Sequence, residues 1–444
     1  MDENVLYAGY HRLKVTPPMG INVPGYYEIR LSDGIINDLY IRATAFSDGK
    51  KKAIIFSCDA IGIRNEAFQI VKKKIAERCG ISEDAVYITC THSHTSFRIT
   101  KPTEELNAKD IFLHRLFQQF ADCAQFAFED LKPATMKVAS GIVKGVGFIR
   151  RYRMKDGSCR TNPGLGNPDV VGPIGEQDES VQLIRVVREE AKDILLVNFG
   201  THADVIGGHK YCTDWPGYLV DVVGGAFNNE VEVMTLVGAE GDSNHVNVFR
   251  PKGSKRKGVD FAQRMARIIG GEVLKIYDQA VDVPCTKVDY FVKPVKIGKN
   301  PYDPADVPEA RIVMKLHREK GKEAAEELKQ YRVSVPLAER ILENLDRPEF
   351  FELQVSAVQI GNVAFVGMPG EPFTSIGRAI KEASHMDMTV FTSLTNGGDG
   401  YFPDAVAFSE EGYERTASPF AHDCAKILID AGNAAIAEME KISE

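Results

Sequence analysis

The chain has 444 residues, 44% of them hydrophobic and 26% charged, which is an ordinary globular composition with enough length for a large core. A net charge of −8 and a pI near 5.8 exclude nucleic acid as a main partner, because phosphate binding needs a concentrated basic surface, and runs such as Lys50-Lys51-Lys52 and Lys72-Lys73-Lys74 read as solvated faces. Eight cysteines without a Cys-x-x-Cys pair suit reduced thiols, no apolar run approaches the roughly 18 residues of a membrane span, and residues 1–7 show no basic leader before an apolar stretch, so the expected location is cytoplasmic.

Residues 1–60 read as short strands and turns, punctuated by Thr16-Pro17-Pro18-Met19-Gly20 and Gly25-Tyr26. Ala53 to Asp59 is a buried strand that delivers an acid at its end. Asn65 to Cys79 has helical periodicity and closes at Gly80, and the apolar run Ala85 to Cys90 follows as a second strand. That order of strand, helix and strand marks an α/β fold. The second strand runs directly into Thr91-His92-Ser93-His94-Thr95-Ser96. Residues two apart on an extended chain project to one face, so His92 and His94 at a strand end can offer one ring to a metal and the other to a substrate.

Lys109 to Leu131 is predicted as a helix and Thr135 to Gly145 as a strand leading into the arginine-rich segment 148–153. Residues 154–178, rich in Gly, Pro, Asn and Asp, read as a long loop near the surface or over a site. Strands return at Leu183 to Val187 and Ile194 to Asn198, the latter ending in Gly200-Thr201-His202-Ala203-Asp204. The apolar run Val231 to Val237 precedes Gly238-Ala239-Glu240-Gly241-Asp242-Ser243-Asn244-His245, whose small residues allow close backbone approach to a ligand. Asp260 to Gln279 is an amphipathic helix. Residues 301–348 read as a helical insertion with helices at Ala310 to Tyr331 and Leu337 to Leu345. The strand Val363 to Gly367 runs into Met368-Pro369-Gly370-Glu371-Pro372, and Thr389 to Leu394 runs into a glycine-rich turn that presents Tyr401.

Two histidines, His92 and His202, and Glu371 thus stand at three strand ends. Each alone has an ordinary use as a capping residue or a helix N-terminal acid, but together they form the ligand set of a catalytic zinc site with an open position. Asp59 or Asp214 is the candidate to orient a ligand imidazole through its second nitrogen.

Thr91-His92-Ser93-His94-Thr95, the His202 strand end with Asp214-Trp215-Pro216-Gly217 after it, Gly241-Asp242, Pro369-Gly370-Glu371, and Asn396 to Tyr401 with Tyr413-Glu414 resemble, in order and spacing from about residue 8 to 420, the catalytic domain of the neutral (alkaline, non-lysosomal) ceramidases. The resemblance implies an α/β fold of mixed β-sheets flanked by helices. It implies one catalytic domain over residues 1–444, without the family's C-terminal immunoglobulin-like domain and with the helical insertion at about 301–348. It implies one Zn2+ held by His92, His202, Glu371 and Tyr401, with His94, Arg150 and Tyr413 lining the substrate site. The family's Gly-Asp-Val-Ser reads Gly241-Asp242-Ser243-Asn244 here, which puts Asn244 where the serine stands, and Gly398 replaces a tyrosine three residues before Tyr401.

The expected function is zinc-dependent hydrolysis of an amide or ester bond in a small substrate by metal-bound water, with His94 as general base or oxyanion donor and Asn244 positioning the scissile carbonyl. Ceramide itself is not the expected substrate, since no interfacial amphipathic anchor is visible, and the arginines 150–153 suggest an anionic group. The alternatives are a lactonase or sugar isomerase on the same metal, an amidase using Ser243 as nucleophile, and a non-catalytic zinc protein. A small molecule is the expected partner, and a homo-oligomer is left open.

Overall fold

The β-branched and aromatic runs pair into two large sheets and several small ones in the computed structural model, which describes residues 2 and 5–443 apart from Leu106, Asp346, Asp399 and Glu411. The larger sheet orders its strands Val231–Val237, Asp193–Phe199, Ser180–Arg188, Lys132–Ile142, Leu6–Lys14, Tyr40–Ser47, Lys52–Cys58 and Val86–Cys90, with Val281–Val283 also paired to Lys132–Ile142. Its interior is antiparallel and its two terminal pairs are parallel. The smaller sheet runs Val288–Gly298, Phe350–Ile360, Val363–Gly367 and Met388–Thr392, again with a parallel pair at the end.

The sheets face each other across one apolar layer, where Phe46, Ile55, Tyr87, Leu196 and Met234 meet Val358, Ile360, Phe365 and Val390. Helices close the outer faces. Asn65–Cys79 and Ala108–Glu129 cover one end of the large sheet, and Asp214–Ala226 and Val259–Tyr277 cover the other. Thr374–Ala383 and Cys424–Ser443 bury Ile376, Ile380 and Leu428 on the back of the small sheet. The result is the mixed α/β arrangement expected from the sequence, in four layers. Local signals agree with it: Gly80 ends its helix in the left-handed conformation at φ 63°, and Asn107 caps the next helix by accepting from the Asp110 N–H.

Three expectations are corrected. Residues 154–178 are not a plain loop, because Arg151–Met154, Cys159–Thr161 and Val170–Pro173 form a three-stranded sheet. The helix expected over 310–331 stops at Lys320, where Gly321 takes a positive φ of 54°, and resumes only as short turns. The insertion 301–348 connects two long antiparallel partners, Val288–Gly298 and Phe350–Ile360, which the sequence pattern did not reveal. The eight cysteines are free thiols, and no described helix is long and apolar enough to cross a membrane.

Candidate metal centre

The carboxyl ends of the three parallel strand pairs in the two large sheets meet, as is usual for ligand sites in α/β sheets. After Cys90 the chain is caught by Thr91 N–H donating to Cys58 O (2.9 Å) and His92 N–H to Ala60 O (3.0 Å), and His92 turns with a φ of 60°. His94 N–H donates to Ala203 O (3.0 Å), tying the His-x-His turn to the turn that carries His202. His202 N–H donates in turn to Ser243 O (3.2 Å). Glu371 pairs with Tyr401 in a short parallel bridge, made possible because Gly370 lets the chains approach: a Cβ there would lie 2.5 Å from Gly400 O.

Four side chains converge from these turns. His92 Nε2 lies 3.2 Å from His94 Nε2 and 3.4 Å from Glu371 Oε2, and His202 Nε2 lies 3.1 Å from the same oxygen. His92, His94 and His202 form a buried group able to hold a metal ion. The remote nitrogens are fixed by backbone. His92 Nδ1 is 2.7 Å from Ile61 O, and His202 Nδ1 is 2.8 Å from Glu240 O. A ring that donates its Nδ1–H to a carbonyl keeps the Nε2 lone pair for a metal.

These residues fit a cation. His202 Nε2 and Glu371 Oε2 are buried and meet no hydrogen-bond partner of good geometry among the described residues, an arrangement that is costly unless a positive ion sits between them. Without a metal, a proton takes part of that role. Burial works against charge on His92, but Glu371 and Glu240 outweigh it and lift its pKa to about 9. Burial opposes charge on Glu371 too, and His92 and His202 override it to hold the carboxyl well below the usual range. His94 goes the other way: burial and the neighbouring His92 push it well below an ordinary histidine, so it is neutral at pH 7.

Around this group, the Tyr401 ring stacks near-parallel to His202 at 6.4 Å between centroids and meets Tyr413 edge-on at 5.6 Å. The Arg150 guanidinium lies 5.2 Å from the Tyr401 ring and 5.9 Å from the Tyr413 ring. It donates to Glu414 Oε1 (2.8 Å) and Gly241 O (2.7 Å). Arg151 and Arg153 pair with Glu410, so these three arginines are matched internally rather than held ready for an anionic substrate. Tyr413 shares a hydroxyl contact of 3.1 Å with Tyr27.

The other candidates are engaged in contacts of their own. Asn244 is committed, with Oδ1 accepting from Val246 N–H (2.9 Å) and Nδ2 donating to Asn162 Oδ1 (3.1 Å). Ser243 Oγ donates to Gln177 Oε1 at 2.5 Å and lies 3.2 Å from Thr201 Oγ1. Neither expected aspartate orients a ligand ring: Asp59 is bound by Arg42 and the Tyr40 N–H, and Asp214 by the Ile206 and Trp215 N–H groups. Backbone carbonyls do that work instead.

His92, His94, Glu371, Tyr401 and Tyr413 line a cavity of about 250 Å³. Its rim comes from residues that sequence patterns did not single out: Tyr26, Tyr27, Arg64, Arg98, and Glu339, Glu343 and Arg347 from the insertion. Tyr26 meets His94 edge-on at 5.3 Å, and a Cβ on Gly25 would lie 2.6 Å from His94 Nδ1. Gly25-Tyr26 was visible only as turn punctuation. Buried Glu240, whose pKa burial raises to about 7, stands in a glycine-rich run whose pattern gives it no role.

The fold is similar to that of solved ceramidases. The neutral ceramidase from Pseudomonas aeruginosa gives a TM-score of 0.73 at 13% identity, covering 99% of this chain and 75% of that one. A ceramidase complexed with C2 gives 0.72 at 13% identity, covering 99% and 76%. No protein-family model and no curated protein matches the sequence. At 13% identity the likeness is one of fold, the ceramidase-like fold that the motifs implied.

Proposed function

We propose that the protein is a zinc-dependent hydrolase of amide or ester bonds in small, polar, non-ceramide substrates, with His92, His202, Glu371 and Tyr401 holding the metal. The observation that carries it is the convergence of two histidine nitrogens and a carboxylate oxygen, two of these atoms buried and unmatched, where His92 and Glu371 line a cavity. Bound there, zinc supplies a Lewis acid for the scissile carbonyl and lowers the pKa of its water from about 15.7 toward about 7. His94, neutral and open to the cavity, accepts the proton from the attacking water and returns it to the leaving group. Arg150 keeps positive charge behind the Tyr401 and Tyr413 rings, and the Tyr27–Tyr413 hydroxyl pair offers a donor to the carbonyl oxygen.

The substrate class follows from the walls. Six charged residues and four tyrosines surround about 250 Å³, and the larger groove of about 760 Å³ lies beyond Arg64 and Arg347, which line both spaces. A short, hydrophilic molecule suits the inner cavity. Water is favoured over Ser243 as nucleophile because the serine hydroxyl is spent on Gln177 and Thr201. An open cavity over the ligand group also speaks for catalysis rather than a structural ion. In this scheme residues 1–444 act as one catalytic domain, and the insertion at about 301–348 shapes the mouth.

The test pairs metal analysis with a substrate panel. Wild type should carry about one zinc per chain by elemental mass spectrometry, as a single site requires, and His202→Ala should lose it. Short polar acyl amides should be cleaved faster than long-chain N-acyl lipids, esters should follow amides, and Ser243→Ala should remain active without a burst. A zinc-free wild type would sink the metal, and faster turnover of lactones, sugars or long-chain lipids would sink the substrate class.

A further inference from the structure

A second cavity lies behind the turn that carries His202. Asp204 follows that histidine by two residues, and its Oδ1 lies 3.0 Å from His245 Nδ1. His245 is 1% exposed, and its Nε2 has no hydrogen-bond partner among the described residues. The ring lines a space of about 390 Å³ that shares no lining residue with the metal cavity. Its other walls include Arg250, Lys255, Arg256, Phe261 and Arg264, and no carboxylate.

The cations there are unequally engaged. Lys255 pairs with Asp260 at 2.7 Å, and Arg250 donates to Lys255 O. Arg256 and Arg264 meet no carboxylate among the described residues, and Arg264 lies 5.7 Å from the Phe261 ring, which itself meets His245 edge-on at 5.8 Å. The helix Val259–Tyr277 begins at the rim behind Gly258, where its own first-turn Asp260 and the Gly258 carbonyl accept from the first N–H groups, so the guanidinium groups rather than the helix end carry the positive charge. In a chain of net charge −8, two guanidinium groups without a carboxylate partner among the described residues, beside a buried imidazole whose Nε2 is unpartnered, form a focused positive site. A monatomic anion is too small, since a water occupies about 30 Å³. Planar guanidinium forks match the oxygens of a phosphoryl group.

We infer that this cavity binds a small phosphate-bearing molecule, gripped by Arg256 and Arg264 and met at the buried end by His245.

Calorimetric titration of the whole chain, dialysed against chelator so that zinc cannot capture the probe, tests this independently of the proposed hydrolysis. Inorganic phosphate and glycerol 3-phosphate should each saturate one site at constant ionic strength. Arg256→Ala and Arg264→Ala should each weaken binding at least about tenfold. Arg185→Ala, whose residue pairs with Asp193 outside both cavities, should leave it unchanged. His245→Gln should weaken it as well, and the exposed arginines carry the test if that variant does not fold. No saturable binding at millimolar phosphate, binding indifferent to both arginine substitutions, or tighter binding of malonate than of phosphate overturns the assignment. So does co-sedimentation with phosphatidylserine vesicles when free phosphate does not bind, which would mark a lipid headgroup as the source of the anion.

Discussion

Replacing Glu371 by glutamine keeps the shape of the candidate ligand and removes its charge. The carboxylate oxygen stands 3.1 Å from His202 Nε2 and 3.4 Å from His92 Nε2, so its attraction for a unit positive charge at the nearer position is about 5.4 kcal/mol at an effective dielectric of about 20. Allowing half of that to be offset by the amide dipole and by relaxation leaves about 2.7 kcal/mol, roughly a hundredfold in Kd. Competition with a chromogenic chelator should therefore give a zinc Kd at least about a hundredfold weaker for Glu371→Gln, with an unchanged far-ultraviolet dichroism spectrum. A Kd within about threefold of wild type, a difference of only about 0.7 kcal/mol, would refute the assignment of Glu371 as a ligand.

Zinc uptake should be proton-linked, because His92 with a pKa of about 9 is charged at neutral pH in the metal-free chain and must lose that proton. The apparent Kd should tighten about tenfold per pH unit up to about pH 9 and level off above it, and titration in buffers of different ionisation enthalpy should count close to one proton released. The raised pKa also means that the stability His92 lends the metal-free fold is complete below about pH 6.5 and is lost as pH rises to about 9, a trend that thermal unfolding after chelation would show or deny. Arg150→Met leaves buried Glu414 with Arg151 at 3.8 Å and the Thr161 hydroxyl, and Glu414→Gln leaves Arg150 with Gly241 O, so each should cost about 3 kcal/mol, the low end for a broken buried pair, while the double variant should recover part of it in urea unfolding. Additive losses would mean that the pair is not coupled. Gly25→Ala forces a Cβ at φ +109° to within 2.6 Å of His94 Nδ1 and should cut kcat at least about tenfold with zinc content intact; unchanged turnover would show that His94 does not act from this position.

The candidate site was legible where residues able to bind a metal coincide with a change of periodicity. His92 and His202 each follow a run of apolar, β-branched residues, and Glu371 sits in a turn bounded by Gly370 and Pro372, so local pattern marks the positions that the fold brings together. Tyr401 carries no such signal and was reached only through the family resemblance. Partnership over long separations was hidden. Arg150 meets Glu414 across 264 residues, and a pattern of arginines beside a loop cannot tell an internal pair from a free anion trap. The aspartates failed for a related reason: Asp59 looks like a strand-end carboxylate, but buried Arg42 lies on the neighbouring strand and claims it. The imidazoles are oriented by carbonyls of Ile61 and Glu240, and every residue has a carbonyl, so composition cannot mark which ones will serve.

The strained backbone explains why the histidines need both sheets. Val86–Cys90 is the edge strand of the large sheet, and its free side is occupied by residues 392–396 as they leave the small one. Asn396 Oδ1 accepts from Ile88 N–H, its Nδ2 donates to Val86 O and Ser356 Oγ, and the Tyr87 and Thr392 hydroxyls meet at 2.5 Å. Leu394 and Asn396 hold positive φ values of 50° and 57° there, close to the 60° of His92, and for non-glycine residues such conformations cost about 1–3 kcal/mol each. They persist because the edge of one sheet and the outflow of the other are hydrogen-bonded together at this seam, which also covers an edge that would otherwise invite pairing with another chain. The His92 turn is therefore set by both layers at once, and the orientation of its ring depends on the two sheets remaining stitched.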